Sequence, residues 1–134
     1  MSDAGLILFC VAYFVFTVGM VAFFLVQRLE TEITTEGVKV RFFPIHRTFR
    51  TYKWEDISNA FVRKYSPIME FGGWGIRFGN RRNGSAYNVS GNQGLQLEFK
   101  KGKKLLIGTQ NPYEIERALK KIEQIKNENQ LNKQ

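Results

Sequence analysis

The stretch "EFGGWGIRFGNRRNGSAYNVSGNQG", Glu70 to Gly94, sets seven glycines among arginines, asparagines and aromatics. Such a composition can form a backbone that wraps phosphate, so the spacing has to be tested. A dinucleotide loop needs G-x-G-x-x-G, and Gly73 and Gly75 are followed by Phe78 where the third glycine belongs. A nucleoside-triphosphate loop needs a lysine directly after its last glycine, and Gly79 and Gly84 have the right separation but are followed by Ser85, with no helix pattern behind it. Turns are the better reading. Asn83-Gly84 is a two-residue hairpin signal between "GIRF" and "SAYNV", and Gly91 and Gly94 bracket the next turn. Gly72, Gly73 and Gly75 allow a bulge around Trp74, whose bulk is expected to pack against neighbouring strands.

No other residues compose a catalytic set. The single histidine, His46, lies in "PIHRTF" between strand-like runs and reads as a surface or hinge residue. The single cysteine, Cys10, lies in an apolar run, so these two make no zinc site and no intramolecular disulfide can form. Glu55 and Asp56 are adjacent, which in a strand points them to opposite faces, and they read as a turn or short helical start. The expectation is a protein that is not an enzyme and that holds no cofactor or metal.

Positive charge is the strongest remaining signal. The candidate contacts with an anionic surface are Arg47, Arg50 and Lys53; Arg81 and Arg82; and Lys100, Lys101, Lys103 and Lys104 around Gly102. Each Lys or Arg held close to an anionic leaflet contributes roughly 1 kcal/mol of attraction. The competing reading is a solvated surface that guards strand edges. Nucleic acid is not expected as a partner, because the aromatics follow strand patterns and no recognition motif accompanies the charge.

These residues need a scaffold, and its first element is a membrane anchor. "GLILFCVAYFVFTVGMVAFFLV", Gly5 to Val26, runs about 22 residues without a charge, the length that crosses a bilayer. A cleaved signal peptide would have a basic start, a shorter apolar run and a small-residue cleavage site, none of which is present. The expected division is a short extracytoplasmic N-terminus at residues 1–4, a transmembrane helix at 5–27, a domain at 28–126 and a polar disordered tail at 127–134. All 20 basic residues and 11 of the 12 acidic ones follow the apolar run, so the part after it carries +9. The positive-inside rule then places the N-terminus outside and the domain in the cytoplasm. Asn83-Gly84-Ser85 and Asn88-Val89-Ser90 match the glycosylation sequon but read, on this topology, as turn asparagines.

The domain reads as strands closed by one helix. "GVKVRFF" sets Val38, Val40 and Phe42 against Lys39, Arg41 and Phe43. "RTFRTYKW" and "DISNAFVRKYS" give further strand runs, the second closed by Pro67. "LQLEFK" places Leu95, Leu97 and Phe99 inward and Gln96, Glu98 and Lys100 outward, with a hairpin turn at Lys101-Gly102 into "KKLLIG". Asn111 as N-cap, Pro112 at the first position and Glu114 in a capping box open a helix over about 112–126. Its apolar stripe is Ile115, Ala118, Leu119, Ile122 and Ile125. Short antiparallel strands and one amphipathic helix suggest a curled sheet or partly open barrel plugged by the helix.

"WEDI" at 54–57, "GGWGIR" at 72–77 and "AYNVSGNQGLQLEFKKGKKLLIGTQNPYEIERAL" at 86–119 resemble the bacterial pleckstrin-homology-like (PH-like) domains of small membrane-anchored proteins. The resemblance covers most of residues 30–126. It implies a mainly β fold, a barrel of two near-orthogonal antiparallel sheets capped by a C-terminal helix, on a bacterial inner membrane. Relatives often carry two hydrophobic helices before the domain, where this chain has one, and the family brings no catalytic residues and no uniform ligand. The expected function is a recognition module that contacts anionic lipid headgroups or a protein partner through basic hairpin tips. The alternative is a structural module that self-assembles through sheet edges or the Trp-Gly surface.

Overall fold

The computed structural model describes residues 2–79 and 83–134. It begins with helix α1 (Asp3–Val26), capped by the Ser2 hydroxyl, which accepts from the Gly5 amide. None of its residues is buried. Apolar on every side, it has no face that the sheets would cover, and it is the one helix among the described residues long and apolar enough to cross a membrane. At 1.5 Å per residue its 24 residues measure about 36 Å.

One extended residue, Gln27, joins α1 to strand β1 (Arg28–Ile33). β1 pairs antiparallel with β2 (Gly37–Phe43), and β2 with β3 (Arg50–Lys53), giving a three-stranded sheet. The alternation read from "GVKVRFF" is realised: Val38, Val40 and Phe42 are fully buried, and Arg41 on the other face meets Glu30 directly across on β1 in an ion pair. The period of two in β1 brings Leu29 and Ile33 against the core.

A 3-10 turn at Trp54–Asp56 leads to the second sheet, as Glu55 and Asp56 suggested. This sheet contains β4 (Ile57–Lys64), β5 (Gly75–Phe78), β6 (Ser85–Asn88), β7 (Gln93–Phe99) and β8 (Lys104–Gly108), in the order β4-β7-β8-β6-β5. It is mixed, not antiparallel. The link from β6 to β7 passes over one strand position, and the hairpin from β7 then turns β8 back into the gap, parallel to β6. The hairpin turn itself lies where expected, with the Gly102 amide donating to the Phe99 carbonyl at 2.9 Å. The β5–β6 pairing begins at Phe78 opposite Ser85, so six positions, 79–84, join these strands instead of the expected two-residue turn.

Between β4 and β5 lies a short helix, α2 (Pro67–Phe71), that periodicity could not show. Its punctuation is plain in retrospect: Ser66 accepts from the Met69 amide, Pro67 opens the helix and Gly72 closes it at φ 73°. α2 covers the outer face of the second sheet, where Tyr65, Phe71, Ala86 and Leu106 cluster. The main core lies between the sheets, with Val38, Val40 and Phe42 against Leu95, Leu97, Leu105 and Ile107. Central strand β8 is therefore buried on both faces.

Two expectations on these strands need correction. Gln96 is buried at 3% exposure instead of facing out, because its amide oxygen accepts from Arg63 at 3.1 Å on the α2 side of the sheet. Asn88 is not a turn residue but a fully buried strand end.

Helix α3 (Pro112–Leu131) packs its stripe on β4, β7 and β1, with Ile122 buried and Ile115 and Leu119 against the core. The Asn111 side chain forms no cap, so the expected capping box is not made. The helix also continues to Leu131, through most of the segment expected to be a disordered tail. Its last turns are polar and exposed and need no partner surface. Since α1 and α3 together match the strands in length, the whole chain mixes helix and sheet and is not mainly β.

Candidate functional site

The strand registers give the domain two distinct ends. Arg28, two residues past α1, stands opposite Phe43. Ile33 stands opposite Val38, which stands opposite Tyr52. Five residues at about 3.3 Å each place Tyr52 roughly 17 Å farther along the strands than Phe43. The end at Arg28 is the anchor end and the end at Tyr52 the far end. A hollow of about 470 Å³ beside Gln27 and Arg28 is also lined by Ser90, Thr109 and Glu114, so the start of α3 lies at the anchor end. At the other end of α3, Lys126 stacks its ammonium 4.5 Å from the Trp54 ring, and the Trp54 indole donates to the Thr34 carbonyl at 2.7 Å.

The far end holds a cleft of about 550 Å³. Tyr52 from β3 and Tyr87 from β6 form one wall, Phe99 the base of the β7–β8 hairpin, and Lys103 and Lys104 its rim. Arg50 donates to the Tyr87 hydroxyl at 3.3 Å. Burial first, and then the hydrogen bond with Tyr87, push the Tyr52 phenol up to about 12. At neutral pH it keeps its proton, which it gives to Tyr87, in a cleft that Lys103 and Lys104 also line.

The basic clusters thus separate. Lys100, Lys101, Lys103 and Lys104 form the far-end tip, and Lys103 and Lys104 join the cleft. Lys53 is also at the far end but faces Glu55 at 3.9 Å as an exposed pair. Arg47 belongs to the β2–β3 connection that follows Phe43, and Arg50 links that connection to Tyr87. Arg81 and Arg82 lie outside the described residues. The sequence reading missed the two tyrosines, because each sits in an ordinary strand pattern and only the packing of the two sheets brings them together.

Other chemistry is thin around the cleft. His46 packs its ring edge-to-face on Tyr87 at 5.4 Å, and burial, then the nearby Arg50 charge, hold its pKa below 6.5. No group of three His, Cys, Asp or Glu that could hold a metal occurs among the described residues. Trp74 is 44% exposed instead of packed among strands, its indole donating to the Gly91 carbonyl at 3.2 Å.

A polar network braces α2 on the opposite side of the second sheet. Glu70 accepts from Arg63 at 2.9 Å and from the Ser66 amide at 2.7 Å. Burial pulls its pKa upward, but these hydrogen bonds and the Arg63 charge outweigh it and hold the carboxyl below 4.5. A carboxyl depressed on folding stabilises the fold above its unfolded value and loses that contribution as pH falls through the folded value. Unfolding of the full chain in micelles should therefore show stability declining below about pH 4.5, with Glu70→Gln flattening the decline and costing about 0.5–1 kcal/mol at neutral pH. An unchanged acid profile in the variant would remove Glu70 from this role.

Comparison with known proteins returned no match: no family model, no characterised protein and no solved structure corresponds to the chain.

Proposed function

We propose that this chain is a non-enzymatic PH-like recognition module, anchored by α1 on the cytoplasmic face of a bacterial inner membrane, whose far-end lysine tip and cleft receive an acidic segment of a protein partner. The observation that carries this reading is that Lys103 and Lys104 line one cleft with Tyr52 and Tyr87, the Tyr52 side of which lies about 17 Å beyond the anchor end along the strands. Ammonium groups donate hydrogen bonds, and so does the Tyr87 phenol, whose own proton remains to give, so the cleft suits carboxylates. Its distance from the span favours a ligand presented from the cytoplasm over the headgroups of its own leaflet. Tethering concentrates the module at the membrane, so a modest intrinsic affinity suffices.

The test uses the full chain in neutral-lipid nanodiscs, titrated with a fluorescent Asp/Glu-rich peptide and a Lys-rich control. Binding of the acidic peptide alone, weakening with salt, is expected. No binding at low salt would overturn the reading.

A second reading, assembly with copies of itself, has its own support. Ile68, Met69, Trp74 and Phe78, all from the segment spanning α2 and edge strand β5, are exposed, Met69 at 85% and Phe78 at 86%. Single-molecule bleaching in bilayers distinguishes it: dimers that Phe78→Asp dissolves would favour assembly.

A further inference from the structure

The connection between β2 and β3 reads "RFFPIHRTFR", Arg41 to Arg50. Three of its apolar side chains face solvent: Phe43 is 39% exposed, Ile45 53% and Phe49 36%. Arg47 and Arg50 are exposed among them. Such a set at the surface of a water-soluble body would be unfavourable, and its place in the fold supplies a reason for it. Phe43 is the direct cross-strand partner of Arg28, two residues after the last helical residue of α1. Paired residues lie about 5 Å apart. With α1 across the hydrocarbon, Arg28 sits at the headgroup level, and the connection starts at the same depth.

The connection is also held in shape. The His46 amide donates to the Phe42 carbonyl at 2.7 Å, the His46 ring packs on Tyr87, and the Arg41 guanidinium lies 4.7 Å over the Phe49 ring. The apolar side chains are thus presented by a braced turn, which lowers the ordering cost of insertion.

We propose that this connection is a second membrane contact, inserting Phe43, Ile45 and Phe49 at the boundary of headgroups and acyl chains while Arg47 meets lipid phosphates. The occupant is the anionic leaflet from which α1 emerges. Continuity with the span and the charge of Arg28 and Arg47 select it. Apolar burial and cationic attraction act together at such an interface. This inference rests on α1 spanning the bilayer and not on the far-end partner.

An environment-sensitive fluorophore tests it on the full chain in nanodiscs containing phosphatidylglycerol, attached at Ile45→Cys or, for comparison, at Lys101→Cys, each with Cys10→Ser. The label at 45 should emit to the blue, be quenched by doxyl lipids and resist aqueous iodide, while the label at 101 behaves as in water. Arg47→Glu should weaken the lipid quenching at 45. Equal iodide access at both positions, in protein that resists carbonate extraction, would overturn the proposal with the span intact. A blue shift that vanishes when each disc holds one chain would also overturn it, assigning the surface to a second copy. Extraction by carbonate would instead remove the anchor reading on which both rest.

Discussion

Replacing Asn88 by leucine should lower the unfolding free energy by about 3 kcal/mol, the cost of leaving two buried polar groups unpaired. Asn88 is fully buried, its amide donating to the Tyr65 hydroxyl at 2.9 Å and its carbonyl accepting from the Gly75 amide at 2.9 Å. One side chain thereby ties the end of β6 to the start of β5 and to the residue following β4. Leucine has nearly the same volume but satisfies neither partner. Nor is there room to relocate, because Gly108 on the neighbouring strand leaves so little space that a Cβ there would lie 2.8 Å from that of Asn88. Thermal unfolding of the full chain in micelles should show a midpoint lowered by roughly 12–20 °C. Tyr65→Phe, which removes one partner, should cost about 1 kcal/mol. A leucine variant within about 1 kcal/mol of the parent would show that water or rearrangement satisfies both groups.

Reversing both cleft lysines, Lys103→Glu with Lys104→Glu, should reduce affinity for an acidic peptide about 100-fold, since each lost charged hydrogen bond is worth about 1.5 kcal/mol or more. Lys104 carries more of the effect. It opens β8 and is half-buried at the cleft rim, where a carboxylate would repel the ligand from within a partly desolvated surface. Lys103→Gln with Lys104→Gln keeps the shape, removes the charge and should lose about tenfold. Lys53→Glu serves as the comparison, because Lys53 is exposed and faces Glu55, and it should change affinity by less than about threefold. Fluorescence anisotropy at two salt concentrations measures all three. Parity of the double reversal with the parent would detach the lysine tip from ligand binding.

What the sequence made legible followed from strong local patterns. The uncharged run of α1, the alternation of Val38, Val40 and Phe42, and the stripe from Ile115 to Ile125 each mark one element by a length or a face. Where patterns were short or reversed by partners, reading failed. Five residues of α2 carry too little periodicity to see, and Gln96 is drawn inside by Arg63 from a neighbouring strand. The parallel seating of β8 beside β6 depends on which gap a hairpin fills, a choice with no local marker. The candidate site suffered most from this. Its lysines were visible as a charge cluster, whereas Tyr52 and Tyr87 lie 35 positions apart, on different sheets. The opening glycines turned out to serve the backbone: Gly72, Gly73 and Gly75 take φ of 73°, 130° and 110° around the turn into β5.

The single residue between helix and sheet has a mechanical meaning. With only the two soft dihedrals of Gln27 in the joint, α1 placed across a bilayer, as proposed, would make helix and domain one bent lever pivoting at the membrane surface. Membranes of different thickness change the tilt of a spanning helix. A tilt of about 10° carried through that joint would swing a point about 17 Å away by about 3 Å, the length of one hydrogen bond. The state of the lipid would thus be readable, as displacement, at the lysine tip.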